Sequence, residues 1–219
     1  MLPWINGSLE APALELSETS STSYTDTLIR PIDLGWHMKK ADVTAGFQLY
    51  APTGKYEPGE SGNTGKGMWT YEPYLGTTLY FDEKRSVSLA TTAFWEFHGK
   101  KKDTDVTVGR ILTLEGGFGK SFLGGGLVIG AAYYAQWKLT EDELGSFELP
   151  GGGTVDAELV NKHRVFAFGP DVTLPVATKS KLIALVNLRY FWESGARSKT
   201  EGSTFTVMAT FPIPSVKLQ

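Results

Sequence analysis

Apolar and polar side chains alternate along most of this chain of 219 residues. From residue 86 to residue 98 every second position is apolar or weakly polar, and the same alternation returns at 124–139, 182–192 and 204–211. Successive side chains of a β-strand point to opposite faces, so this period of two is typical of strands that have one apolar face. The periodicity of an amphipathic helix is hard to find. The pattern therefore predicts an all-β protein.

The alternation divides the chain into about ten strands. Most of them are roughly 10 to 18 residues long, whereas the usual strand length is about 5–6 residues. Soluble β-sandwiches rarely maintain such lengths. The predicted strands lie near residues 9–17, 27–38, 42–52, 67–81, 86–98, 105–119, 124–138, 157–174, 181–194 and 202–212.

The connections between these strands alternate in kind. Short polar turns are predicted at 39–41, 82–85, 120–121 and 178–180. Longer loops are predicted at 53–66 and 139–156, with less extended ones at 99–104 and 195–201. Short turns at one end and long loops at the other are typical of outer-membrane barrels. We therefore predict an antiparallel up-and-down transmembrane β-barrel.

Tryptophans mark the ends of the predicted strands. With the long loops placed outside the cell, four tryptophans fall at the outer ends of four strands and on the apolar face, and Trp36 falls at the opposite end. Membrane interfaces select aromatic side chains at these two levels. We therefore predict that five residues, here called the aromatic girdle, face the bilayer: Trp36, Trp69, Trp95, Trp137 and Trp192.

Composition and charge exclude several classes of partner and site. Lys and Arg together number 21 and Asp and Glu number 24, which gives a net charge of −3 spread along the chain. This balance argues against a nucleic-acid partner. The chain has no cysteine, so it can form neither disulfides nor thiolate metal sites. It also lacks an apolar run of about 18 residues, the length that a transmembrane helix needs.

The length suits one barrel domain spanning residues 1–219. The first residues have neither the basic nor the apolar segment of a signal peptide. We therefore expect the chain to be N-terminally truncated. On this view the chain contains about ten strands of the barrel, and the full gene product has up to twelve strands. On this hypothesis the residues before about 27 pair imperfectly, and a seam separates the first and last strands.

Several stretches resemble one family, the outer-membrane barrels named for the meta-pathway of phenol degradation and called transporters. The most specific are PTGKY at 52–56 and YAQWKLT at 134–140. They are supported by PIDLGWH at 31–37, GMWTYEP at 67–73 and SLATTAFWEFH at 88–98. The resemblance covers about residues 28–142. It implies a barrel fold, an outer-membrane location and uptake of aromatic or other hydrophobic compounds, and it brings no catalytic residues.

Motifs that could carry enzymatic chemistry are weak. Gly54-Lys55 and Gly119-Lys120 lack the earlier glycine that a phosphate-binding loop requires. The three histidines lie on separate predicted strands without the spacing of a zinc site. We therefore expect no enzyme activity, no catalytic residue, no metal site and no cofactor.

The polar face of the strands carries the candidate functional residues. If the aromatic girdle faces lipid, this polar face lines the lumen, meaning the barrel interior. Lumen charges set the selectivity of such barrels. The predicted lumen-lining residues are Glu72, Phe94, Glu96, His98, Glu115, Tyr134, Gln136, Lys138, Asp171, Asn187 and Arg189.

The pattern favours an outer-membrane channel for small hydrophobic or aromatic compounds, with the lipid bilayer and those solutes as partners. Two alternatives remain open at this stage. One is a structural outer-membrane barrel whose lumen is plugged by paired charges. The other is a soluble, lipocalin-like binding barrel whose apolar face points inward.

Two arginines do not fit the pattern. The alternation places Arg30 and Arg110 on the lipid-facing side of their strands. Both lie toward the outer end, where a lipid-facing charge costs only about 0–1 kcal/mol. Either their side chains reach the lipid head groups, or a β-bulge shifts the register.

Overall fold

The computed structural model describes residues 4–11, 16–60, 62–148, 154–159, 162–178 and 182–212. These ranges contain strands and one short 3-10 turn, Leu123–Gly125. No helix in them is long and apolar enough to span a membrane. The strands are β1 (Trp4–Ala11), β2 (Leu16–Tyr24), β3 (Thr27–His37), β4 (Ala41–Ala51), β5 (Thr70–Tyr80), β6 (Val87–His98), β7 (Ile111–Phe122), β8 (Leu127–Lys138), β9 (Asp142–Glu148), β10 (Thr154–Leu159), β11 (Arg164–Ala177), β12 (Leu182–Arg197) and β13 (Ser203–Thr210).

Nine of these strands form one antiparallel sheet in the order β13-β12-β11-β8-β7-β6-β5-β4-β3. Strands β1 and β2 pair with each other as a separate hairpin, and so do β9 and β10. Among the described residues the order of the large sheet is therefore open, with β3 and β13 at its two ends. No strand pairing joins β3 to β13 within the described residues.

The two faces of the large sheet differ in character. The outer face carries exposed apolar side chains, such as Ile129, which is 51% exposed, and Leu75. The inner face carries Gln48, Glu72 and Thr113, which are all buried. Buried polar side chains are mostly hydrogen-bonded to other polar groups. The sheet therefore keeps its polar groups inside and its apolar groups outside, the reverse of a soluble barrel.

Connections also differ between the two ends of the sheet. The short-turn end contains the links at 38–40, 81–86 and 123–126. The long-loop end contains the links at 52–69 and 99–110 and the β9–β10 hairpin. The predicted turn 178–180 falls mostly outside the described residues, since only residue 178 is described there.

The alternation predicted the large sheet well. Nine of the ten predicted strands correspond to its nine strands, so the all-β antiparallel fold is confirmed. Three details were wrong. The predicted strand 9–17 spans parts of β1 and β2, the predicted loop 139–156 contains most of the β9–β10 hairpin, and β7 runs through the predicted turn 120–121 to Phe122. These errors arise because local alternation does not show where a long hairpin reverses.

A β-bulge explains Arg30. The register between β3 and β4 shifts between Ile29 and Ile32, so the alternation breaks there. The Arg30 side chain consequently turns to the inner face, where its Nε and Nη2 atoms donate to the Gln48 side-chain oxygen at 3.0 and 2.7 Å. Of the two alternatives left open for Arg30, the structure agrees with the β-bulge, and the side chain does not face lipid. Arg110 precedes β7, and its side chain is exposed.

Candidate functional site

A band of polar side chains crosses the inner face near the long-loop end. We call it the polar belt. Strands β4 to β8 each contribute to it, because each one places alternate residues on this face. The polar belt consists of Gln48, Glu72, Glu96, His98, Thr113, Gln136 and Lys138.

One side of the polar belt is a chain of hydrogen bonds that begins at Arg30. The Gln48 side-chain oxygen accepts from the Arg30 guanidinium, and the Gln48 amide nitrogen donates to Glu72. Gln48 and Glu72 are 4% and 5% exposed. An amide that accepts at one end and donates at the other links a cation to a buried carboxylate without direct contact between them.

The centre of the polar belt is a three-residue charge cluster. Glu96 Oε2 lies 3.2 Å from His98 Nε2 and 3.4 Å from Lys66 Nζ. The other ring nitrogen of His98 lies 3.0 Å from the Gly109 carbonyl oxygen. Both ring nitrogens of His98 therefore lie within hydrogen-bond distance of oxygen atoms.

The loop that carries Lys66 is anchored by Asp26. One carboxylate oxygen of this buried side chain accepts from the Gly54 backbone N–H at 3.1 Å, and the other accepts from the Lys66 N–H at 2.8 Å. A Cβ built on Gly54 would lie 2.6 Å from the Gly65 Cα atom, so the two ends of the loop touch. This closure holds the Lys66 side chain over the inner face.

The opposite side of the polar belt is formed by Lys138 and Gln136. Lys138 Nζ lies 2.6 Å from Asp142 Oδ1, and both side chains are buried. Gln136 donates to Thr113 at 3.1 Å and accepts from the Lys199 Nζ atom at 2.5 Å. Loop residues therefore complete the polar belt, and its charges are largely paired.

Toward the short-turn end the inner face widens into a cavity of about 590 Å³, here called the central cavity. Small inner-face residues create the space, because glycine and alanine leave the room that a larger side chain would fill. Four such positions are Ala90, Gly117, Gly119 and Gly130. The larger and polar residues around the cavity include Thr92, Glu115, Tyr134, Asp171, Arg189, Phe191 and Thr206.

The charged side chains of the central cavity differ in whether they form an ion pair. Arg189 Nε and Nη2 lie 2.6 and 2.5 Å from Asp171 Oδ2, while Asn187 donates to Asp171 Oδ1 at 2.7 Å. Glu115 has neither a hydrogen bond nor an ion pair within the described part of the chain, and its side chain is exposed to the cavity. The cavity thus contains one satisfied ion pair and one available carboxylate.

Aromatic side chains border the central cavity. Tyr134 and Phe191 meet edge to face with ring centroids 5.1 Å apart. The Tyr134 hydroxyl donates to Glu193, two strands away, across the small residue Ala167. The Arg189 guanidinium also lies over the Phe191 ring, 5.7 Å from its centroid.

The structure places the eleven predicted lumen-lining residues on the inner face, but it divides them into two groups. Glu72, Glu96, His98, Gln136 and Lys138 belong to the polar belt. Glu115, Tyr134, Asp171, Asn187 and Arg189 lie at or beside the central cavity. Phe94 lies between the groups, with its ring 5.7 Å from that of Tyr74.

The sequence reasoning missed several inner-face residues. Arg30, Lys66 and Lys199 are cations that approach from a bulge or a loop, and no local pattern marks them. The small residues of the central cavity did leave a signal. Glycine, alanine and serine recur at alternate inner positions of β6, β7 and β8, such as Ser88, Gly117 and Gly130.

The residues of the aromatic girdle lie on the outer face. Trp69 and Trp192 are 44% and 54% exposed, and Trp36 is exposed at the short-turn end. Trp95 and Trp137 both pair with Leu112 of β7, so they lie at one level on β6 and β8, the two strands that flank β7. Trp137 also meets Phe166 edge to face at 5.6 Å.

His163 lies just before β11, beside the polar belt. Burial lowers the pKa of its ring below the usual range, and the charges of Lys199 and Lys138 lower it further. Its Nε2 atom is buried without a hydrogen-bond partner among the described residues. In the same part of the chain, no group of three or more His, Cys, Asp or Glu side chains could hold a metal ion.

An antiparallel sheet with a polar inner face and an apolar, aromatic outer face defines a transmembrane β-barrel of the outer-membrane type. The chain belongs to the family described as "Putative MetA-pathway of phenol degradation", whose model matches residues 2–209. The family predicted from the sequence is therefore confirmed, and the fold places the chain in the outer membrane, as predicted.

A solved structure has the same fold. The crystal structure of an outer membrane channel from Pseudomonas putida F1 matches with a TM-score of 0.69 and 12% sequence identity. The match covers 94% of this chain and 72% of the channel. Comparison with the curated proteins gave no match.

Proposed function

We propose that this protein is an outer-membrane channel for small hydrophobic or aromatic compounds. The observation that supports it most directly is the central cavity of about 590 Å³, bordered by Tyr134, Phe191, Glu115 and Arg189. The similarity to a solved outer membrane channel and the phenol-degradation family support the same class of function. The similarity to the solved channel favours a channel over an enzyme.

The composition of the central cavity suits amphipathic aromatic solutes. The Tyr134–Phe191 pair offers a surface for ring stacking, with centroids 5.1 Å apart. Glu115 and the threonines offer partners for a solute hydroxyl group. A ring with one polar substituent can therefore satisfy both parts of the wall. Aromatic pairs are worth about 0.5–1.5 kcal/mol beyond their buried area, which is weak enough to let a solute leave.

The polar belt favours a second candidate function, a structural barrel with a plugged lumen. Its Lys66–Glu96 and Lys138–Asp142 pairs hold opposite charges together on the inner face. If these pairs persist without opening, they block the route between the central cavity and the long-loop end. The soluble, lipocalin-like alternative is not supported, because the apolar side chains are exposed on the outer face.

Planar-bilayer recording and liposome uptake of phenol distinguish the two candidates. For a channel, the wild-type protein conducts ions and admits phenol faster than barrel-free liposomes. Glu115→Gln should lower the preference for cations, and Arg189→Gln should raise it, because lumen charges set ion selectivity. Glu83→Gln removes a carboxylate from an exposed turn and serves as the matched control. A wild-type protein that neither conducts nor admits phenol favours the plugged barrel.

A further inference from the structure

Three arginines lie together at the long-loop end of the outer face, and we call them the rim arginines: Arg110, Arg164 and Arg197. The register pairs Arg164 with Trp137 on β8 and, beyond a β-bulge that follows the Phe166–Ser194 pair, with Arg197 on β12. Arg164 lies over the Phe166 ring at 6.0 Å, and Phe166 contacts Trp137. These contacts place Arg164 on the outer face beside the aromatic girdle.

Arg110 lies on the other side of Trp137. It precedes Leu112 by two residues, and Leu112 is the β7 partner of Trp137. Because side chains alternate between the two faces, Arg110 and Leu112 point to the same face. Backbone hydrogen bonds hold it there, since the Leu139 N–H donates to the Arg110 carbonyl at 2.7 Å. Strands lie about 4.8 Å apart and rise about 3.4 Å per residue, so the backbones of Arg110 and Arg164 are about 12 Å apart across β8.

The rim arginines have no acidic partner within the described residues. Nearby, Lys162 pairs with Glu141 at 3.6 Å, so this neighbouring carboxylate is already engaged. Like charges that are directly opposite on paired strands destabilise a sheet. The Arg164–Arg197 pair is therefore unfavourable by itself, and an anion between the two side chains would relieve the repulsion.

From this cluster we infer that the rim arginines bind a phosphorylated lipid head group, that of lipid A in the outer leaflet of the outer membrane. Guanidinium groups bind phosphate oxygens with two parallel hydrogen bonds. Tryptophans of membrane proteins mark the level of the head groups, and the rim arginines lie at Trp137 or just beyond it. Acyl chains of the bound lipid would then lie against the exposed apolar side chains of the outer face.

The inference can be tested with the full chain folded in detergent micelles. Binding of bis-phosphorylated lipid A is measured by native mass spectrometry, with dephosphorylated lipid A as the second ligand. We expect the phosphorylated form to bind the wild type at least about tenfold more tightly. Inorganic phosphate at the same concentration should not displace it, which separates a lipid site from a free-anion site. Equal binding of both lipids would overturn the inference without any variant.

Variants locate the site. The double variant Arg164→Gln/Arg197→Gln should bind phosphorylated lipid A at least about tenfold more weakly, and Arg164→Lys/Arg197→Lys should lie in between. Lys39→Gln/Lys40→Gln removes the same charge from exposed residues at the short-turn end, and it should bind like the wild type. Unchanged binding by the glutamine variant, or an equal loss in the Lys39/Lys40 control, would contradict the site. If the glutamine variant does not fold, the inference is tested by the binding of the lysine variant and by the comparison of the two lipids on the wild type.

Discussion

Arg189 and Asp171 are directly opposite each other on β12 and β11, and the Arg189 Nε atom lies 2.6 Å from Asp171 Oδ2. The pair lies at the wall of the central cavity, where Asp171 is largely buried and Arg189 remains 39% exposed. Asn187 occupies the other carboxylate oxygen at 2.7 Å. The ion pair therefore combines a structural contact with a charge that solutes can reach.

We expect Arg189→Gln and Asp171→Asn to be energetically coupled. Each single variant leaves a charge facing the cavity without its partner, whereas the double variant leaves none. Contacting pairs show coupling energies of about 0.5–3 kcal/mol, and the exposure of Arg189 favours the lower half of that range. A double-mutant cycle from urea unfolding in liposomes measures this coupling. Strictly additive effects would show that the contact contributes nothing to stability.

Ile129 and Val128 are neighbours that point to opposite faces of β8. Ile129 is exposed on the outer face, and Val128 borders the central cavity. Ile129 lies toward the short-turn end of β8, so Ile129→Lys should lower the free energy of unfolding by about 1–2 kcal/mol, less than the roughly 2–4 kcal/mol expected at the bilayer midplane. Val128→Lys should have a much smaller effect, because water in the cavity can solvate the ammonium group. Equal losses in liposome unfolding experiments would refute the assignment of the faces.

Gly116 is packed against its neighbours on the outer face. A Cβ there would lie 2.1 Å from the Ala90 carbonyl oxygen and 2.6 Å from the Tyr133 hydroxyl, which reaches over the glycine to Thr91. Gly116→Ala should therefore destabilise the barrel by about 1–3 kcal/mol.

Gly35→Ala is the matched control for Gly116→Ala. A Cβ at Gly35 meets nothing within 4 Å, so this variant should change stability by no more than about 0.5 kcal/mol. Thermal unfolding of both variants measures the difference. A Gly116→Ala protein as stable as Gly35→Ala would contradict the close approach.

His163 should make stability depend on pH. Burial lowers the pKa of the folded ring, whereas the unfolded ring titrates near about 6.5. Below that pH the unfolded state binds more protons than the folded state, so the contribution of this ring to stability decreases as the pH falls.

The pH effect can be assigned to His163 by comparing variants. Urea unfolding at several pH values between about 7.5 and 5 should show a smaller loss for His163→Gln than for the wild type. His37→Gln changes a ring whose side chain is 80% exposed, and it should retain the loss. If the His163→Gln profile matches that of the wild type, another group causes the dependence.

The alternation of side chains was enough to predict the nine strands of the large sheet and which face of most of them is polar. It succeeded because the period of two is a local property of extended backbone, and because the bilayer demands an apolar outer face at every strand. For β8, it separated Ile129 and Trp137 from Tyr134 and Lys138 without any knowledge of neighbouring strands.

Only the tertiary structure decided which of these residues act together. The bulge between Ile29 and Ile32 reversed the side of Arg30, and a folded loop brought Lys66 to Glu96, 30 residues along the chain. The alternation of side chains does not show where a bulge will form, and it carries no information on which strands become neighbours. The pairing of Arg164 with Arg197, like the separation of the polar belt from the central cavity, depends on that strand order and register.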